Sequence, residues 1–406
     1  AMRDFSGTGP PAPLNVLIRV KKTLREESVT GYVKVTTSII QATVATAVTS
    51  SSVAAIISGA NPTLMWGLMN LCQDFFYLIF LNVDYPKSLN YILQMFSVGS
   101  LSFMPNFYEN LNALFLFNVK PLPSPPRFFV MGYTGMFLNT AGSSITMWIL
   151  VILTDLLLTL LRRFRKTNNT IVKKARDSLR NSYPYKLWIS TCVEFFYAAI
   201  LQLRQPTFHD AVSSASWGIA LIALIMVLIF PIHCFIIFAQ NLRSEIKNPL
   251  FTEYGGDKGD NKKYLLIVYL VKRILSAFVI VAFYYHPSLE ISCIILLSVS
   301  YMVMLFIFRP RESKLENLYD IFPEFVMFSV NLMIKLLHSN SDVDFQNKIS
   351  LTIIVFIFTV VLVLLGRIFV EQISWLKSLF SRKTPPKSRA KKLKPYRVRD
   401  NQPDQK

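Results

Sequence analysis

The chain has 406 residues, of which 52% are hydrophobic and 32 are Phe, with a mean hydropathy of +0.40 and a formal charge of +19. Repeated apolar runs of about twenty residues exclude a soluble domain or a string of them, because soluble cores rarely need runs of bilayer length. The Lys and Arg residues lie between and after those runs, where they set orientation in a membrane, so nucleic acid is excluded as the partner such a charge would otherwise imply.

Residues 1–33 start Gly/Pro-rich and continue as short β-prone pieces broken by charge. They read either as the end of a water-soluble region outside the membrane or as a disordered arm. The first apolar run, 35–58, carries small residues at every fourth position, Ser38, Ala42, Thr46, Ser50, Ala54 and Ser58. Such a stripe admits a second helix closely or lines a polar pathway. Residues 59–62 form a turn, so the second run, 63–83, returns antiparallel as the other arm of a hairpin. Beyond Pro86, residues 87–103 alternate at helical spacing, with Leu89, Ile92, Leu93 and Phe96 on one side. This predicts an amphipathic helix lying in the membrane interface.

A polar, Pro-rich connection leads to seven further runs, at 139–161, 187–203, 211–239, 264–285, 288–308, 321–338 and 350–373. The expected fold class is therefore an all-α polytopic membrane protein. It has about nine transmembrane helices within 34–374, plus the interfacial helix, and a basic tail at 375–406. The connections 162–186, 240–263 and 309–320, with the tail, hold 28 Lys/Arg, whereas 84–138, 204–210, 286–287 and 339–349 hold 5. The positive-inside rule then places the amino terminus outside or in a lumen and the carboxyl terminus in the cytosol, in the plasma membrane or an internal one. Five basic residues before Val33 oppose that orientation, and an upstream translocated ectodomain, expected here, would override them. The sequon Asn168, Asn169, Thr170 falls on the cytosolic side and is expected to stay unmodified.

Cys72, Cys192, Cys234 and Cys293 all lie in apolar runs and are expected to be free thiols. With no CxxC and no His/Cys cluster, neither a metal nor another cofactor is expected. No selectivity filter, Walker loop, HExxH, GxSxG, kinase signature or arginine ladder is present. Those absences argue against an enzyme and against strong voltage sensing.

Ionisable groups inside spans are costly, which makes each a candidate for an ion pathway or a buried pair. They are Asp74, Asp155, Glu194, Lys272, Arg273, Glu324, Lys335 and Arg367, with His233 and Asn331 as further polar positions. Asp155, Glu324, Lys335 and Arg367 lie near run ends, where side chains snorkel to headgroups. Lys272 and Arg273 lie eight to nine residues inside their run, roughly 12–14 Å at 1.5 Å per residue. Glu194 starts from the same side and reaches nearly the same depth, so a pair between Glu194 and Lys272 or Arg273 is expected, as a clasp or as a gate. Asp74 has no basic partner on its own helix and is expected to face the small-residue stripe or a wet cleft. His233, beside the helix-weakening Pro231, reads as a packing residue or a proton switch. Asn331 reads as a hydrogen-bonding link between helices. In the tail, Lys377, Arg382, Lys383, Lys387, Arg389, Lys391, Lys392 and Lys394 form a cluster attracted to anionic lipid at about 1 kcal/mol each. The first turns of that tail, 375–380, are expected along the inner leaflet.

The stretch from ISGA through the second run to LNVDYPKSLNYILQMF carries a recognisable pattern at Ser58, Gly59, Ala60, Leu81, Val83, Tyr85, Pro86, Tyr91 and Phe96. It resembles the fungal TRP-like and flavin-carrier membrane proteins, and the related membrane domain that closes many large cysteine-rich surface proteins of ciliates. The resemblance implies a lumenal or extracellular domain, a multi-span TRP-like region and a basic cytosolic tail, with links to calcium homeostasis and to transport of flavin or lipid-like molecules. Three functions are the resulting expectations: a cation (calcium)-permeable channel or channel-like transporter, a carrier of an organic or lipid-like solute, and a non-transporting anchor of a larger surface protein or assembly. The expected partners are membrane lipids, anionic at the tail, and further copies in a homo-oligomer or larger assembly.

Overall fold

A computed structural model describes residues 42–43, 46, 63–115, 122–165, 176–177, 179–180, 183–204, 208, 210–243, 264–309 and 314–381. Among these every regular element is a helix. First comes α1 (Thr63–Tyr77), extended by a 3-10 turn, Leu78–Phe80, and then α2 (Lys87–Met95) with a 3-10 segment, Phe96–Ser100. Three short helices follow, α3 (Phe107–Phe115), α4 (Pro126–Val130) and α5 (Phe137–Thr140). The long helices are α6 (Gly142–Arg165), α7 (Tyr183–Leu203), α8 (Ala211–Arg243), α9 (Tyr264–Ala282), α10 (Pro287–Phe308), α11 (Lys314–Ser339) and α12 (Val343–Ser381).

These seven are long and apolar enough to cross a membrane, and they coincide with the seven later apolar runs. The chain is a multi-pass all-α membrane protein. Of the first run, only Ala42, Thr43 and Thr46 are described, all helical. The rest of its small-residue stripe, the segment 1–33, the turn 59–62, the sequon and the tail from Arg382 onward lie outside the described residues.

The second run is not one lipid-facing span among equals. The 15 residues of α1 and the 3-10 turn after them together rise about 28 Å, close to a hydrocarbon core of about 30 Å. From Trp66 to Val83 only Gly67, Asp74 and Asn82 escape burial. A helix covered on nearly every side belongs in a core, and α1 is packed by α7, α12 and the segment Phe96–Ser100.

The amphipathic helix also differs from expectation. It is present as α2, but its apolar side, Leu89, Ile92 and Leu93, is covered by α1 and α12 rather than left for lipid. The chain then runs back along α1. Gly99 permits this: a Cβ there would sit 2.5 Å from the Gln73 backbone nitrogen and 2.9 Å from the Cys72 carbonyl carbon. Only glycine allows so close an approach of two backbones.

One end of the bundle gathers the connections that are poor in Lys and Arg. Arg127 pairs with Asp84 at 3.0 Å, its backbone N–H reaches the Tyr284 hydroxyl at 3.4 Å, and the Asn82 amide donates to the Tyr284 carbonyl at 3.1 Å. The Phe137 N–H donates to Gln202 Oε1 at 2.8 Å, which ties the start of α5 to the end of α7. The long helices turn apolar side chains outward, among them Ile152, Leu156 and Leu157 of α6 and Ile222, Ile225 and Ile229 of α8. That is the surface a bilayer solvates. The candidate span in α12 ends at Val370, and the helix itself continues through Ser381, so the first turns of the tail prolong it.

Candidate functional site

Two polar centres lie inside this apolar bundle. The first is built around Arg273, on α9. Its Nε donates to Asp74 Oδ1 at 3.2 Å and its Nη2 to Gln73 Oε1 at 2.5 Å. Its Nη1 donates to Asn70 Oδ1 at 3.1 Å and to the Ile189 carbonyl at 3.0 Å. The acceptors are themselves held: Gln73 Nε2 donates to the Ser190 carbonyl at 2.7 Å, and Ser190 Oγ donates to Asn70 Oδ1 at 2.9 Å. The side chain of Arg273 is 2% exposed and that of Asp74 19%. A guanidinium presents its donors in a planar fork, which suits a ring of acceptors spread over α1 and α7.

Lys272, the adjacent residue, points elsewhere because neighbouring helix positions diverge by about 100°. Its ammonium pairs with Glu324 on α11 and lies 5.0 Å from the centroid of the Tyr301 ring. The two cations thus hold α9 to α1 on one side and to α11 on another.

This overturns the expected Glu194 pair. Helix α7 begins at Tyr183, four residues before the predicted 187, so Glu194 lies about 6 Å further along than expected, at 1.5 Å per residue. The part of α7 that Arg273 reaches is Ile189 instead. Glu324 is corrected for the same reason. Helix α11 starts at Lys314, ten residues earlier, which leaves Glu324 about 15 Å from the helix end and out of snorkelling range. Asp74, which has no basic partner on its own helix, is met by Arg273 of α9.

The second centre is a cavity of about 780 Å³. Its walls come from the returning segment (Gln94, Ser97, Ser100), from the stretch Ser102 to Glu109, from Val130 to Tyr133, and from Asn139, Thr140 and Ser143. Glu109, Ser102, Val130 and Gly132 are exposed and form the mouth, while Tyr133, Thr140 and Glu194 are buried. Glu194 is 3% exposed, and its Oε2 accepts a hydrogen bond from Ser144 Oγ at 2.5 Å. Among the described residues no Lys or Arg side chain is bonded to it. Tyr133 Oη makes no protein hydrogen bond of normal geometry. Burial first and the Glu194 carboxylate second push the Tyr133 phenol well above its ordinary range, while Ser100 draws it the other way. The phenol therefore stays protonated across physiological pH. Among the described residues the cavity is lined by two carboxylates, Glu109 and Glu194, and by no Lys, Arg or His.

The other sequence candidates lie outside both centres. Asp155 is paired with Arg180 at 2.9 Å and stands 4.0 Å from Arg176. His233 sits on the outward face of α8 between exposed Ile232 and Phe235, away from any polar path, and α8 runs unbroken through Pro231. Asn331 is fully buried, yet neither its Oδ1 nor its Nδ2 has a hydrogen-bond partner among the described residues, so the expected link between helices is not made. Lys335 donates to Ser292 Oγ at 3.0 Å, and the Arg367 guanidinium lies 4.7 Å from the Tyr319 ring centroid. Of the tail cluster only Lys377 is described, and it is exposed. The four cysteines are free thiols, three of them buried. Among the described residues no three His, Cys, Asp or Glu side chains converge on a possible metal position.

Sequence reasoning missed Asn70, Gln73 and Ser190, which complete the Arg273 shell, and the whole cavity wall. Asn70, Gln73 and Asp74 share one face of α1 at spacings of three and four, and Ser190 lies one turn before Glu194; both are signals of a polar seam in an apolar helix. The cavity wall is built from residues distant in the chain and carries no periodic signal. No family model, no curated protein and no solved structure matches this chain.

Proposed function

We propose that this protein transports a cation, which enters from the Lys/Arg-poor, outer end into the cavity above Glu194. The observation that carries this reading is the sign of the cavity: among the described residues it is lined by two carboxylates and no basic side chain, in a chain with a net charge of +19. A cleft of one charge sign between low-dielectric walls concentrates ions of the opposite sign. A buried acidic residue facing a cavity in a membrane domain is a functional candidate by default. The cation permeability implied by the resemblance agrees with that sign.

A carrier cycle is favoured over an open pore. The Arg273 cluster reaches Glu194's helix at Ile189 and Ser190, about one turn before Glu194, with Asn70 and Gln73 held and the guanidinium almost fully covered. A solute resting on Glu194 meets a hydrogen-bonded floor, the arrangement expected of a site alternately opened to either side. Reconstitution of the full chain in liposomes tests this. Saturable uptake of cations but not anions, lost in Glu194→Gln, is the expected result. Discrete conductance steps would replace the carrier by a channel, and selectivity for anions would remove the proposal.

A further inference from the structure

Resting on the reading of the cavity as a cation site, we infer that its ligand is an organic ammonium ion bearing an apolar group, of the size class of an aromatic amine. Three properties of the cavity separate this from a bare metal ion.

Size is the first. At about 780 Å³ the cavity falls within the 300–1,000 Å³ typical of sites for small organic ligands. A dehydrated Ca²⁺ instead needs about six to eight oxygens converging at 2.3–2.6 Å. The two carboxylates of the cavity are split between its exposed mouth and its buried depth, and no three potential ligands of carboxylate, His or Cys type converge among the described residues.

The second is the wall. Phe76 and Tyr133 line the cavity with their ring centroids 6.3 Å apart and their planes inclined at 42°. Thioethers of Met95, Met104 and Met131 line it too. A metal ion with its hydration shell gains nothing from such surfaces, whereas an ammonium ion gains cation–π attraction and its substituent gains apolar contact.

The third is the buried carboxylate. Among the described residues Glu194 has one hydroxyl partner and no cation, although an acid this deep in a helical bundle normally has one. An ammonium N–H donates to the carboxylate oxygen that Ser144 leaves free. Glu109 at the rim adds attraction at longer range. The ligand thus lies with its nitrogen toward Glu194 and its carbon skeleton against the aromatic and thioether wall.

Isothermal titration of the purified full chain in micelles tests the assignment, with phenethylammonium, tetraethylammonium, phenethyl alcohol, Na⁺ and Ca²⁺ as probes. Phenethylammonium is expected to bind, with tetraethylammonium, which has no N–H to donate, and the neutral alcohol each at least about tenfold weaker. Glu194→Gln, in which the amide oxygen still accepts from Ser144, is expected to weaken binding about thirtyfold or more, as for a desolvated charge pair. Tyr133→Leu is expected to weaken it about five- to thirtyfold, the range of a desolvated cation–π contact, and Tyr133→Phe to retain it. Equal affinity for the alcohol and the ammonium overturns the inference. Binding of Na⁺ or Ca²⁺ without either ammonium probe overturns it and leaves cation transport standing. Absence of binding by every cation removes both.

Discussion

Asp74 and Glu194 are both acids inside the helical bundle, the first half-buried and the second buried, and the protein treats them in opposite ways. Asp74 is met by a guanidinium whose other donors are taken by Asn70, Gln73 and the Ile189 carbonyl. Glu194 is met by one hydroxyl and a cavity. A satisfied polar network in a low-dielectric interior rigidifies and specifies a packing arrangement, while an acid left without a counter-charge waits for one. The first centre explains how α1 is fixed between α7 and α9. The second leaves room for a visitor.

The contrast predicts unequal responses to substitution, and the largest belongs to Arg273. Arg273→Met strands Asp74 and the side-chain oxygen of Gln73, leaves Asn70 Oδ1 to Ser190 alone, and should lower stability by about 3–5 kcal/mol, as when one partner of a buried pair is removed. Chemical unfolding in micelles measures it. Arg273→Lys should recover little, because a compact ammonium cannot reach acceptors placed for a planar fork. Recovery by Lys would mean that charge alone, and not the hydrogen-bond ring, holds α1 in place.

Next comes the Lys272 and Glu324 pair. Lys272→Met alone should cost about 3 kcal/mol, while Lys272→Met with Glu324→Met should return to within about 1 kcal/mol of the unmodified chain, since an apolar pair can replace a buried ionic one. A double variant as unstable as the single one would show that the two charges do not act on each other.

What the sequence revealed and what it hid divide along the same line. Seven spans were legible because an apolar run of bilayer length has few other meanings. That the connections poor in Lys and Arg share one end was legible from charge alone. The partners of Lys272, Arg273 and Glu194 were not, because depth was counted from the edge of each apolar run. Polar first turns such as Tyr183 to Lys186 and Lys314 to Asp320 are helical too, and they shift every residue after them. The burial of α2 was hidden for another reason: an apolar stripe on a short helix looks the same whether lipid or protein covers it. The glycine that brings the following segment against α1 is a single residue with no pattern around it.

Gly99→Ala therefore probes the wall shared by the two centres. Its added methyl meets the Gln73 and Cys72 backbone, which cannot move aside like a side-chain tip, and should cost about 1–3 kcal/mol as overpacking. Because Ser97 and Ser100 flank this residue and line the cavity, uptake should fall as well. Unchanged unfolding would mean that the returning segment does not press on α1 as closely as described.

The smallest expected effect on stability is the most informative. Glu194→Gln keeps an acceptor for Ser144, breaks no ion pair and changes the volume little, so the unfolding free energy should move by no more than about 1 kcal/mol, the scale of one altered hydrogen bond. The same variant should abolish cation uptake. Loss of function with stability intact would set Glu194 apart from Arg273 as an acid kept for a ligand. A loss of stability as large as that of Arg273→Met would instead make Glu194 part of the framework, and the two centres would then be one continuous clasp along α7.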